Sequence, residues 1–298
     1  MKSGAGARMP APGYHWRMPT HTPPAAPHPA YKLDARETLR GLGELGSGVV
    51  NEATGWWRAL LFSANLLVTG LSPSAYDARA RTVAAQQIRF SAWQVLGSFT
   101  LACALLSYVL VRITIRAAAD YGVAEYAQQL VMSVLVLELV PLAAALFVAL
   151  RSGAAIATEV ALFHIGGELD RLVADGADPL RHELMPRVMG TMVAVMALAF
   201  ANGALAMAML YVESYGFSPW GVQEFLRTSG AVYGPAVVFG CVLKTLLFGA
   251  AVAAIPISEA LAAPRDMRYV PVAVLRAMVR VMLAIALIEG LFLAAIYA

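Results

Sequence analysis

The sequence predicts an all-α, polytopic integral membrane protein, and three observations support that prediction. The 298 residues are 59% hydrophobic, with a mean hydropathy of +0.66, and only 14% are charged, against about a quarter in soluble domains. Five apolar stretches reach the length of about 20 residues that a helix needs to cross the hydrocarbon core. Between the second and third stretches lies a dense polar island, residues 151–187, which must face water or another protein.

The N-terminal tail, residues 1–32, differs in composition from the rest of the chain. It holds seven prolines and three histidines but no acid, and it has too little apolar surface to form a core. It also lacks the apolar run of a secretory signal. We therefore expect a disordered tail followed by one membrane domain over residues 33–298.

Residues 36–69 read as a helix that lies in the membrane interface. Glu44 and Arg58 mark a polar side, and Trp56, Trp57 and Leu60 mark an apolar one. Indole rings at headgroup depth are typical of such helices. We expect this segment to precede the spans without crossing the membrane.

Five transmembrane helices follow in the prediction. Their ranges are 90–111, 127–150, 188–212, 231–261 and 270–297. With a cytoplasmic N-terminus, the cytoplasmic parts hold 16 of the 22 Lys and Arg residues and the opposite side holds three. The positive-inside rule then places the N-terminus and the island in the cytoplasm and the C-terminus outside.

The polar island has a helical pattern of its own. Ile165, Leu169, Leu172 and Val173 recur at helical spacing, and Gly176 supplies a stop. The next segment opens with Asp178 as an N-cap and Pro179 at the first helical position, and Pro186 should break or kink it. This pattern favours a short amphipathic helix across the ends of the spans; a solvated connecting loop is the alternative.

Several motifs in and around the island resemble the MlaE/YrbE permeases over residues 36–298. They are Glu138-x-x-Pro141, the small-residue run from Arg151 to Glu159, Glu168-Leu-Asp170, Asp178-Pro-Leu with Pro186-Arg187, and Lys244-Thr-Leu-Leu-Phe248-Gly249. Those permeases are the membrane subunits of ABC transporters that work with MCE proteins in lipid trafficking. The resemblance therefore implies a permease of the bacterial inner membrane that moves phospholipid or a similar lipid.

The resemblance also implies partners and roles for particular residues. A separate ABC ATPase, which holds the ATP and Mg, would seat a coupling helix within residues 151–187. Its expected contact residues are Ile165, Glu168, Leu169, Asp170, Leu172, Asp178 and Arg187. The lipid-cavity candidates are Leu110, Tyr121 and Glu138. The remaining partners are a second permease subunit, an MCE-protein ring and a STAS-domain protein on the ATPase.

The residues leave two alternatives open for the intramembrane charges. Glu138 either lines a wet lipid cavity or pairs with a buried cation such as Lys244, because an isolated charge is costly at membrane depth. For Lys244 and Glu259, pairing with oppositely charged residues on neighbouring helices is favoured. A divergent scaffold subunit without its own lipid cavity is the alternative to a lipid-moving permease.

Catalysis and nucleic-acid binding are not expected. None of the three lysines stands in a Gly-Lys-Ser/Thr sequence, and His164, His182 and Glu183 form no His-Glu-x-x-His motif or metal-ligand set. The net charge of +3 and the scattered basic residues do not indicate a nucleic-acid groove. Cys103 and Cys241 lie in apolar runs and are expected to be buried free thiols.

Overall fold

The computed structural model describes residues 54–66, 68–70 and 78–297. This part of the chain is helical with short turns and contains no strand, and five of its helices are long and apolar enough to cross a membrane. They are Arg81–Asp120, Tyr126–Ile165, Leu180–Tyr215, Pro235–Ala262 and Met267–Ala295, here called the first to fifth spans. The prediction of an all-α protein with five spans is confirmed.

Two ends of the helix bundle follow from the connections. Residues 166–179 join the second span to the third at what we call the island end. Residues 121–125 and 216–234 join other spans at the opposite, far end. The predicted tail and residues 36–53 of the predicted interfacial helix lie outside the described residues.

The described part of that interfacial segment is helical over residues 54–66 and 68–70. Leu66 is fully buried in a core cluster with Ile156 and Met185, whereas Trp57 and Leu60 are exposed. One side of this helix therefore packs on the bundle, and the other presents apolar side chains outward, as an interfacial helix would.

The first span is longer than the predicted 90–111. It consists of Ala78–Ile88, a π-helical turn at Arg89–Trp93 and Gln94–Asp120. Its early part packs closely on the third span, where a Cβ added at Gly190 would lie 2.9 Å from the carbonyl oxygen of Ala84.

The second span does not end near residue 150 as predicted but continues to Ile165. Its successive parts are Ala124–Leu130, π-helical Val131–Leu139, Val140–Val148, π-helical Ala149–Gly153 and Ala154–Ile165. Pro141 is the second residue after the first π-helical part, so the two features that distort regular α-helix geometry lie together. Residues 151–165 of the island are thus an extension of a span.

The rest of the island is a compact turn with one short helix, Glu168–Ala174. Gly167 and Gly176 flank it with φ of 70° and 76°, a backbone region that favours glycine. The predicted helix start is present, since the Leu180 N–H donates to Asp178 Oδ1 at 2.9 Å. Ile165 belongs to the preceding helix rather than to this one.

The predicted break at Pro186 is absent. Leu180–Leu184 is π-helical and runs directly into Met185–Tyr215, so that Pro186 stands in the first turn of that α-helix. Because the helix is continuous from Leu180, Pro186 removes one backbone hydrogen bond, and the π-helical turn directly before it is where the helix departs from regular α geometry. The third span therefore begins at the island turn.

The fourth span begins at Pro235 instead of residue 231. Residue 231 belongs to a separate far-end helix, Val222–Val232, which follows a short 3-10 turn at Pro219–Gly221. The α-helix of the fifth span is Val270–Tyr297, with the same bounds as predicted, and it follows a 3-10 turn at Met267–Tyr269.

Small residues let the third and fourth spans approach closely. A Cβ added at Gly249 would lie 2.5 Å from the Cα of Met192, closer than real Cβ atoms come to backbone. Glycine at such a contact allows two helix backbones to pack directly, as is common in membrane bundles. The buried charges described next sit on either side of this contact along the fourth span.

Candidate functional site

Three ionisable side chains from three spans meet inside the bundle. Lys244 of the fourth span is 1% exposed, and its Nζ donates to a carboxylate oxygen of Glu138 from the second span. The same Nζ lies 3.3 Å from Oε2 of Glu289 in the fifth span. Glu138 and Glu289 are 7% and 8% exposed, so the whole cluster is removed from solvent.

The pairing explains how these charges reside at membrane depth. A charged side chain near the bilayer centre costs about 2.5–3.5 kcal/mol on insertion scales unless protein groups or water compensate it. Lys244 and Glu289 lie about 13 Å along their helices from the far-end termini, at 1.5 Å per residue. Of the two alternatives for Glu138, the ion pair with Lys244 is therefore present, and the prediction that Lys244 pairs with acids on neighbouring helices is confirmed.

Two cavities adjoin this cluster. One of about 130 Å³ borders Glu138 and Lys244 directly; its other lining residues are Ser133, Leu137, Val237, Gly240, Cys241 and Phe292. The other, of about 260 Å³, lies between the second, third and fourth spans. It is lined by Val136, Leu137, Pro141, Ala199, Phe200, Gly203, Ala204, Met207, Tyr233, Val238, Cys241 and Thr245. Glu138 is thus both ion-paired and at a cavity wall.

The larger cavity is almost wholly apolar. The Thr245 hydroxyl donates to the backbone oxygens of Cys241 and Val242, and the Tyr233 hydroxyl lies 3.2 Å from the sulfur of Met207. These polar groups are satisfied within the chain, so the cavity suits a hydrocarbon group.

The other two predicted lipid-cavity residues are not near Glu138. Leu110 is half-buried and packs against the main core cluster. Tyr121 is 84% exposed in the turn between the first and second spans. Neither is among the residues that line the two cavities, so the structure does not bring these candidates together with Glu138.

A second buried pair lies toward the island end of the fourth and fifth spans. A guanidinium nitrogen of Arg280 donates to Glu259 Oε1, and the two residues are 6% and 7% exposed. The Arg280 guanidinium also faces the N-terminal helix, where a Cβ at Gly55 would lie 2.6 Å from it. The expected pairing of Glu259 with a charge on a neighbouring helix is confirmed.

A third cluster ties the second and third spans together at the island end. Arg187 donates to Glu159 Oε1 at 2.8 Å and to Glu183 Oε2 at 2.7 Å, and its guanidinium lies 5.3 Å from the centre of the Phe163 ring. Arg187 is only 6% exposed. Its guanidinium is therefore occupied within its own chain and offers little surface to a partner, and its role as an ATPase contact stays a prediction.

The remaining predicted coupling residues differ in exposure. Leu169 is 9% exposed and faces its own chain, whereas Val173 is 62% exposed. Ile165 and Leu172 are half-buried, and Glu168, Asp170 and Asp178 are exposed. The Asp170 carboxylate also pairs with Arg265 at 2.7 Å, joining the short helix to the loop before the fifth span.

A groove of about 210 Å³ runs beside this short helix. Its lining residues are Phe163, Glu168, Leu169, Arg171, Leu172, Asp175 and Glu183. The outward surface at this end is thus a mixture of exposed charges and half-buried apolar groups.

Sequence reasoning missed Glu289 and the role of Arg280. Both are ionisable residues within long apolar stretches, and that isolation is the signal that marks an intramembrane functional or structural charge. The fifth span contributes one member to each of the two buried clusters of the fourth span.

With this geometry established, comparison with known proteins decides the family. The family model described as Permease MlaE matches residues 84–295. The chain belongs to the MlaE permease family. No curated protein matches the chain. The match and the five spans identify a multi-pass membrane protein, the permease subunit of a lipid ABC transporter.

Proposed function

We propose that the permease moves phospholipid or a similar lipid between the bacterial inner membrane and a periplasmic path formed by an MCE-protein ring. The observation that carries this proposal is the apolar cavity between the second, third and fourth spans, with the Glu138–Lys244 pair in the adjoining cavity. Hydrocarbon suits the first space and a polar headgroup suits the second. The larger volume of about 260 Å³ lies just below the usual 300–1,000 Å³ of small-ligand sites, so it suits part of a lipid.

The rest of that lipid and the energy for moving it come from partners in this proposal. A second permease subunit, identical or different, completes the cavity. An ABC ATPase with its ATP and Mg binds at the island end, and a STAS-domain protein can bind that ATPase. The N-terminus and the island are cytoplasmic, the far end and the C-terminus periplasmic, as the distribution of Lys and Arg supports.

Lipid occupancy of the cavity gives the first test. Ala204 lines the cavity, and its side chain is exposed, so Ala204→Trp should fill the space without disturbing the core. We expect several-fold less phospholipid to co-purify with the variant transporter, at unchanged membrane yield, measured by mass spectrometry of extracted lipids.

Ala208→Trp is the matched control. Ala208 is also exposed and lies one turn along the same helix face, but it is not a lining residue of the cavity. Equal lipid in the parent and both variants would reject the cavity and favour a scaffold subunit, for which the ion-paired state of Glu138 is the supporting observation.

The contact with the ATPase gives the second test, and it also tests orientation. Val173 is the exposed apolar residue of the short island helix, so Val173→Asp should release the ATPase without disturbing the permease itself. Burying a valine side chain stabilises a contact by about 1.5–3 kcal/mol, which corresponds to at least a tenfold loss of affinity. Pull-down of the ATPase with the tagged permease measures it.

Val222→Asp is the control for this experiment, since Val222 is an exposed valine at the far end. Leu169→Asp is less suitable, because Leu169 is buried and its substitution would disturb the helix position. Undiminished ATPase recovery with Val173→Asp, or loss with Val222→Asp instead, would contradict the proposed interface or the proposed orientation.

A further inference from the structure

The cluster at the centre of the bundle has an unbalanced composition. It contains two carboxyl groups, from Glu138 and Glu289, and one ammonium group, from Lys244. With all three ionised the cluster would carry a charge of −1, and all three residues are buried, with exposed fractions of 7%, 1% and 8% for Glu138, Lys244 and Glu289. A buried carboxyl without a counter-charge is held in the neutral, protonated form.

The geometry brings the two carboxyl groups together at one cation. Both Glu138 Oε2 and Glu289 Oε2 lie against Lys244 Nζ, and two ionised carboxylates held this close repel each other. Glu289 Oε2 is 3.3 Å from Lys244 Nζ, but it has no hydrogen-bond partner of suitable alignment and no contact with solvent. One proton on either carboxyl removes this repulsion and leaves a single negative charge for Lys244 to compensate.

The other groups that face Glu289 support the same balance of two carboxyl groups against one cation. Glu138 reaches the cluster from the second span and Lys244 from the fourth, and Cys241 of the fourth span lines the same cavity as these two residues. Tyr233 lies next to Cys241. A thiol and a phenol are neutral at pH 7 by their ordinary values, so Lys244 is the cation that compensates this cluster.

We propose that Glu138, Lys244 and Glu289 form a proton-binding site that holds one proton between the two carboxyls. The proton makes the cluster electrically neutral where it borders the 130 Å³ cavity. Release of that proton leaves a net negative charge beside the cavity, which disfavours an anionic lipid headgroup. The site goes beyond the proposed lipid transport, because it exists whatever the cargo.

Infrared spectroscopy of the full-length permease in phospholipid bilayers at pH 7 tests this site. The carbonyl stretch of a protonated carboxyl is distinct from the bands of a carboxylate, and parent-minus-variant spectra isolate the cluster from other acids. Glu289→Gln and Glu138→Gln should each abolish one protonated-carboxyl band, since the single remaining acid ionises beside Lys244. Lys244→Met should roughly double the band, because both buried carboxyls then become neutral.

Glu259→Gln is the matched control, because Glu259 is a buried acid paired with Arg280 rather than grouped with a second acid. Its spectrum should keep the band in full. A parent protein without the band, or a band that survives both Glu138→Gln and Glu289→Gln, overturns the proposal. A band that appears only when sodium and potassium are removed also overturns the proposal, because it would assign the site to a metal cation. Failure of either single variant to accumulate overturns it as well.

Discussion

We expect the Glu138→Gln/Glu289→Gln double variant to be largely lost from the membrane fraction, while each single variant accumulates normally. Lys244 is 1% exposed and has these two carboxyl groups beside it. Either acid alone compensates its charge, but the loss of both leaves a buried cation without its acids. Removing the partner of a buried ion pair costs about 3–5 kcal/mol, a large share of the usual 5–15 kcal/mol of folding stability.

Membrane yield by immunoblot and the thermal unfolding midpoint in detergent measure this effect. Adding Lys244→Met to the double variant is the control, and it should restore both readings, since the cation itself is then absent. A double variant that behaves like the parent chain would show that Lys244 does not depend on these acids, and the Glu138–Lys244 pair would then have no structural role.

The second large effect is expected at the contact between the third and fourth spans. Gly249→Ala places a Cβ 2.5 Å from the Cα of Met192. No side-chain rotation relieves a contact with backbone, so the two helices must separate. Overpacking of this kind typically costs about 1–3 kcal/mol, and we expect a clearly lower thermal unfolding midpoint.

Gly240→Ala provides the comparison within the same helix, since a Cβ at Gly240 meets nothing within 4 Å. The added methyl group and the change in helix propensity are the same at both positions, so that only the close approach differs. Identical midpoints for the two variants would contradict the direct packing of the two helix backbones.

The number and type of the spans were predictable from the sequence because hydrophobic length alone decides whether a helix can cross a bilayer. The helix ends were less predictable, because a helix need not stop at the membrane surface. The run of small helix-forming residues after Gly153 continues the second span until the two glycines at 166 and 167 end it. Pro186 was misread for a related reason, since a helix can continue through a proline when a π-helical turn, here Leu180–Leu184, precedes it.

The buried charges were only partly predictable. A charged lysine in an apolar span is costly unless an acid compensates its charge, so the pairing of Lys244 could be anticipated. Which acids Lys244 contacts depends on how each span is rotated about its own axis. The sequence does not give that rotation, so the contact between Lys244 and Glu289 could not be predicted from it. The division of the short island helix into a buried Leu169 and an exposed Val173 has the same cause.

The continuity of the second span has a mechanical consequence. At 1.5 Å per residue, the 40-residue helix from Tyr126 to Ile165 is about 60 Å long, twice the thickness of a ~30 Å hydrocarbon core. Such a rod acts as a lever: a 10° tilt about its midpoint displaces each end by about 5 Å at this length. Glu138 lies between the midpoint and the far end, and the short island helix is attached at the other end. A tilt of this rod therefore moves the cavity wall at Glu138 in the direction opposite to the movement of the short island helix.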